Sequence, residues 1–264
     1  MNGLHELPLI IFTVLAQSVV GATLVLSLSQ NEIKQKNTKL FILLVLMAAG
    51  FLASIMHLGS PLRAFNSLNR IGESMLSNEI ASGSVFFAAL GLYWLLTVSG
   101  KMPANLNKIW LIVTALLGLV FMYMMNQVYH ISTVPTWNSS LTSYSFYLTV
   151  MTAGFCLGYA LFRQAAWLRT VIVIGIFVIA ILIVYQSLEL AAIRSSVQNA
   201  LDLVPDYMLL NMIRLCLLAA GAYLLFRTTP SLLYLAAILM IAAEMIGRIL
   251  FYGLHMTVGT AVAG

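Results

Sequence analysis

"IWLIVTALLGLVFMYMMNQVYHISTVPTWNSSLTSYSFYLTVMTAGFCLGYALF", residues 109–162, contains no Asp, Glu, Lys or Arg. It is too long for one membrane crossing, which takes about 20 apolar helical residues. Its middle, "HISTVPTWNSSLTS" at 130–143, is polar and carries a proline. The stretch therefore reads as two spanning segments joined by a turn, a helical hairpin. Both apolar runs are continuous, whereas the strands of a membrane barrel alternate over about ten residues, so the spans are expected to be α-helices.

The same pattern recurs on either side. Runs of spanning length lie near residues 9–29, 40–58, 79–99, 109–129, 144–162, 170–189, 207–226 and 231–251. Of 264 residues, 61% are hydrophobic and 8% charged, against roughly 25% charged in an ordinary soluble domain. A water-soluble surface cannot be assembled from such a sequence. The expectation is an all-α polytopic membrane protein, a single domain over 1–264 built as a bundle of eight transmembrane helices. The first run has no Lys or Arg ahead of it, so it lacks the positive n-region of a cleaved signal peptide and reads as a permanent span. Gly154 and Gly158 form a small-xxx-small pair, which predicts close helix packing. Cys156 and Cys216 stand alone in apolar runs with no partner at metal-ligand spacing, and both are expected in the core.

The basic residues orient the bundle. Lys34, Lys36, Lys39, Lys101, Lys108, Arg163, Arg169 and Arg227 follow odd-numbered spans, while the opposite loops carry only Arg63, Arg70 and Arg194. The positive-inside rule makes the first group cytoplasmic and puts both termini on the outer, periplasmic side. The net charge of +5 is scattered between apolar runs and forms no stripe, so it does not mark a nucleic-acid binder. The outer connections are longer and more varied than the inner ones, and function is expected there.

Ionisable residues near the spans lean the same way. His57 ends the second span, Glu79 opens the third, Glu189 ends the sixth, and Arg214 sits about two turns into the seventh. Glu244 and Arg248 lie in the outer half of the eighth. A charge at the bilayer centre costs at least about 2.5–3.5 kcal/mol, so a gathering toward one leaflet suggests a polar pocket between helices. Each residue also has an ordinary explanation. His57 precedes Gly59 and Pro61 and suits the negative end of a helix dipole. Glu79 follows Ser77 and Asn78, good N-caps, and a carboxylate suits a first turn. Glu244 and Arg248 have the i,i+4 spacing of an ion pair, and Glu189, Arg214, Glu244 and Arg248 are taken as structural or secondary. Tyr129, Trp137, Tyr144, Tyr147 and Tyr252 fall where an interfacial aromatic belt is expected.

The histidines limit the chemistry. His5, His57, His130 and His255 all lie near outer ends, which rules out a pair of haems spanning the membrane. Two isolated cysteines cannot hold an iron–sulfur cluster, and no zinc-ligand spacing occurs, so no metal site is expected. What remains is acid–base chemistry on an apolar molecule from the lipid. Histidine takes a proton near neutral pH, and a carboxylate in low dielectric does the same. A quinol fits, with an apolar tail and two hydroxyls that release protons as two electrons leave.

The strings "LASIMHLGSPLRAFNSLNR", "LSNEIASGS", "VPTW", "SSVQ", "LVPDY" and "GRILFYGLHMTVG", together with "HELPLIIFT" at the start, resemble the membrane-anchor subunit of the anaerobic dimethyl sulfoxide reductase family over nearly the whole length. One departure is Leu7, where the family carries tryptophan. The resemblance implies eight haem-free helices in the bacterial inner membrane, a menaquinol site, and a place in anaerobic electron transport. It also implies partners: a four-cluster iron–sulfur subunit and, through it, a molybdopterin catalytic subunit. The family's quinol-associated histidine and glutamate correspond to His57 and Glu79, which are expected to accept the two hydroxyl protons. Ser60 and Arg63 in the same loop are further quinol-binding candidates. Two other readings stand beside this one. A purely structural anchor needs no acidic residue within the membrane. A proton-coupled secondary transporter places its ionisable groups near the midplane, between repeated halves, and neither feature is visible.

Overall fold

The computed structural model describes residues 2–29, 35–57, 66, 68–163, 166–194, 199–227 and 229–258. Among these, eight helical segments are long and apolar enough to cross a membrane. They are α1 (Leu7–Ser27), α2 (Lys36–His57), α3 (Met75–Val98), α4 (Ala104–Val128), a fifth span made of α5 (Ser140–Thr149) and α6 (Phe155–Phe162), then α7 (Trp167–Ala192), α8 (Tyr207–Leu225) and α9 (Pro230–Gly253). The eight spans follow the expected runs, with ends displaced by a few residues. The turn at 129–139 closes the expected hairpin, and the Ser139 hydroxyl caps α5 by accepting from the Leu141 amide.

Helix α1 is the axis of the bundle, packed against α2, α4, α6 and α9. It is buried on nearly every face, as a helix that is apolar all round should be. Its few polar side chains satisfy themselves within the helix: Thr13, Ser18 and Thr23 donate to the carbonyls of Leu9, Val14 and Val19. Gln17 is the exception and is used by another helix. Helices α2, α3 and α7 lie at the periphery and expose apolar side chains such as Leu52, Val85 and Phe177, the surface that lipid covers.

In lipid the hydrophobic effect does not drive helices together, so close packing must. The expected role of Gly154 and Gly158 holds. A Cβ on Gly154 would sit 2.7 Å from the Gly21 Cα, and one on Gly158 would sit 2.7 Å from the Val25 Cβ. At this crossing the fifth span contains a π turn, Val150–Gly154, which interrupts the helical register beside α1.

The two cysteines part company. Cys156 is buried, as expected, but Cys216 is exposed on α8. A lone cysteine in an apolar run is compatible with a lipid-facing position, and composition does not distinguish the two faces of a span.

The connections at one end of the bundle, 28–35, 99–103, 163–166 and 226–229, are short, and those at the other, 58–74, 129–139 and 193–206, are long. The long connections share their end with residues 2–6 and 254–258, the end that the charge distribution assigns to the outer face.

Candidate functional site

Helices α1, α2, α3, α4 and α9 meet at that end around a cavity of about 760 Å³, within the usual range for small-molecule sites. Its walls are largely apolar, with Leu9 and Phe12 from α1, Phe51 and Ile55 from α2, and Leu76 and Ile80 from α3. Ile55 and Leu76 are exposed, so the cavity's rim is apolar where lipid would lie against it. Among the described residues its titratable groups are Glu6, His57, Glu79, Tyr129, Tyr252 and His255, with Trp137, Ser54 and Ser84 beside them.

His57 is the last residue of α2, and its Nε2 lies 3.2 Å from Glu6 Oε2. Glu79 departs from its expected setting. Helix α3 starts at Met75 with Ser74 before it, so Glu79 lies beyond the first turn and the helix end does not account for its carboxylate. Asn78 does not cap α3 either; its Oδ1 accepts from the Gly72 amide and ties the preceding loop to the helix. Glu79 is 3% exposed, and its Oε1 has no hydrogen-bond partner among the described residues. Leaving a buried polar oxygen unpaired costs about 1–3 kcal/mol, more when charged. A donor reaching into the cavity would satisfy it.

Two of the residues expected in an interfacial belt form the floor of this cavity. Tyr129 and Tyr252 are 6% and 3% exposed, and their hydroxyls are hydrogen-bonded to each other. Trp137 stacks on Phe251 with ring centroids 5.1 Å apart and donates from Nε1 to the Phe251 carbonyl. The reason is tertiary: the 129–139 turn folds over the end of α9, turning its aromatics inward. Tyr144 is exposed and fits a belt position.

The ionisable residues do not form one cluster. Glu244 is paired with Arg214 of α8, Nη2 to Oε2 at 2.7 Å, and the hydroxyls of Thr149 and Thr152 lie 3.1 and 2.8 Å from its two oxygens. The expected Glu244–Arg248 pair is thus corrected. Arg248 donates to Gln17 Oε1 at 2.9 Å, and its guanidinium lies over the Phe146 ring, 3.4 Å from the centroid. The i,i+4 spacing allowed a pair on one helix, but Arg214 reaches the carboxylate from the facing helix, through a gap that Gly247 leaves open. A Cβ there would fall 2.6 Å from the Arg214 Cζ. Glu244, Arg248 and Arg214 are 1%, 2% and 5% exposed and hold α1, α5, α8 and α9 together around the π turn. Glu189 is exposed and accepts from the Ser139 hydroxyl.

Of the residues predicted for the site, His57 and Glu79 share the cavity, while Ser60 and Arg63 lie outside the described residues. Glu6 is a member that sequence reasoning missed. Its signal is weak, a single acid ahead of the Pro8 that opens α1, and only the fold brings it to His57.

Comparison with known proteins agrees with the sequence strings. The family model described as "DMSO reductase anchor subunit (DmsC)" matches residues 1–254. The C chain of the anaerobic dimethyl sulfoxide reductase of Haemophilus influenzae is 52% identical, over 100% of this sequence and 99% of its own. The anaerobic dimethyl sulfoxide reductase chain YnfH of Escherichia coli is 50% identical over 100% and 99%, respectively. The C chain of the same organism's anaerobic dimethyl sulfoxide reductase is 47% identical over 99% of each. The protein therefore belongs to the DMSO reductase anchor subunit family, as a multi-pass membrane anchor of a reductase complex with catalytic and electron-transfer partner subunits.

Proposed function

We propose that this anchor oxidises menaquinol in the cavity at the outer end of the bundle, in the bacterial inner membrane, and passes the electrons to an iron–sulfur partner subunit. The supporting observation is the buried carboxylate oxygen of Glu79, without a hydrogen-bond partner among the described residues, in the same apolar-walled cavity as His57. Menaquinol enters from lipid past Ile55 and Leu76. Its two hydroxyl protons go to His57 and to the Glu79 carboxylate, and its two electrons go to a cluster of a four-cluster partner docked at that end. The partner delivers them to a molybdopterin subunit that reduces dimethyl sulfoxide or a related acceptor. Quinol is a substrate here, and the anchor itself is read as carrying no haem, iron–sulfur cluster or metal.

A purely structural anchor remains the competing reading. Glu244 and Glu189 do not weigh against it, because one is held in a structural ion pair and the other is exposed. Glu79 carries the distinction alone. Titration of the complex with a quinol-analogue inhibitor should show tight binding to the wild type and at least about tenfold weaker binding to His57→Gln and Glu79→Gln, a loss of about 1.4 kcal/mol or more. Equal binding by all three would favour the structural reading.

A further inference from the structure

Glu6 is the last residue of a 3₁₀ turn, Asn2–Glu6, and immediately precedes α1. Its carboxylate makes no side-chain cap hydrogen bond to the helix. Instead its Oε2 is directed at the end of α2, 3.2 Å from His57 Nε2. That oxygen is itself buried and makes no well-aligned hydrogen bond among the described residues, although the Glu6 and His57 side chains are each 36% exposed. Its placement is enforced from two sides. Pro8 fixes the entry into α1, and the turn lies directly on α9, where a Cβ on Gly3 would be 2.2 Å from the Ile249 carbonyl oxygen.

We infer that Glu6 is the positioning residue for His57, placing a carboxylate beside Nε2 and supplying the counter-charge for the proton taken from quinol. The inference rests on the quinol reading above. A neutral imidazole whose Nε2–H faces a carboxylate keeps Nδ1 as its accepting nitrogen. Once Nδ1 is protonated, the cation is balanced by an anion it already touches. Among the described residues, the other titratable groups lining the cavity are Glu79 from α3, Tyr129 after α4, and Tyr252 and His255 at the end of α9. Among these, Glu6 is the carboxylate within ion-pair distance of His57.

The test uses the intact complex in membranes, with a short-chain naphthoquinol as donor and dimethyl sulfoxide as acceptor, measured for wild type, Glu6→Gln, Glu6→Asp and His57→Gln. Glu6→Gln should lower kcat/KM about tenfold. Glu6→Asp, which keeps the carboxylate, should recover part of that loss. An unchanged rate in Glu6→Gln, with His57→Gln inactive, would overturn the inference and leave the quinol site standing. A lower rate with no rescue by aspartate would also overturn it, since that is the pattern of a structural residue. Wild-type turnover in His57→Gln would overturn the quinol reading itself.

Discussion

Glu79→Gln, assembled in the intact complex, should oxidise quinol at least about 100-fold more slowly than the wild type, the usual scale of a lost proton acceptor. Glutamine matches glutamate in volume and can still hydrogen-bond a hydroxyl, but it cannot take the proton. A residue present only for packing would tolerate the exchange. Burial sharpens the contrast, because Glu79 is 3% exposed and solvent cannot readily replace it. His57→Gln should show a comparable loss. Donor-dependent turnover is the readout, with co-purification of the partner subunits as the control for assembly. Near-wild-type turnover in an assembled Glu79→Gln complex would remove the carboxylate from the mechanism.

Arg214→Ala should act through stability. It leaves the buried carboxylate of Glu244 with two threonine hydroxyls and no counter-charge. Breaking a buried pair by removing one partner costs about 3–5 kcal/mol, a fall of roughly 10 °C in the unfolding temperature for a domain of this size. Replacing both members, Arg214→Met with Glu244→Gln, should recover much of that loss, since neither charge is then stranded. Thermal unfolding of the detergent-solubilised protein measures both variants. A double variant no more stable than Arg214→Ala would show that the cost arises from lost packing around Gly247 and not from an orphaned charge.

The contrast between these two sites explains what can be read from residue order. A bilayer demands long apolar helices, so the eight spans are visible as runs, and the 130–143 turn announces itself by polarity and proline. His57 and Glu79 are visible because ionisable residues are rare in and beside apolar runs, although Glu79 lies a turn deeper than the run suggests. Which groups face one another is a different matter. Arg248 lies one turn from Glu244, but Arg214 on a neighbouring helix takes the carboxylate, and no local pattern encodes that choice. Tyr129 and Tyr252 sit at interfacial depth yet point inward, because the 129–139 turn closes over α9. Glu6 meets His57 only when the 3₁₀ turn is laid against α9, a contact set by the close approach at Gly3. The apparent lopsidedness of the ionisable residues thus resolves into a cavity with an unpaired acid and a separate internal clamp whose hydrogen bonds are largely made.

The most direct measurement is photolabelling of the complex with a photoreactive naphthoquinone, followed by mapping of the labelled residues. The account predicts label on the ends of α2 and α3 that line the cavity, around Phe51–His57 and Leu76–Ser84, displaced by excess quinol analogue and lost in Glu79→Gln. Displaceable label confined to residues outside the cavity or to a partner subunit, undiminished in that variant, would contradict it.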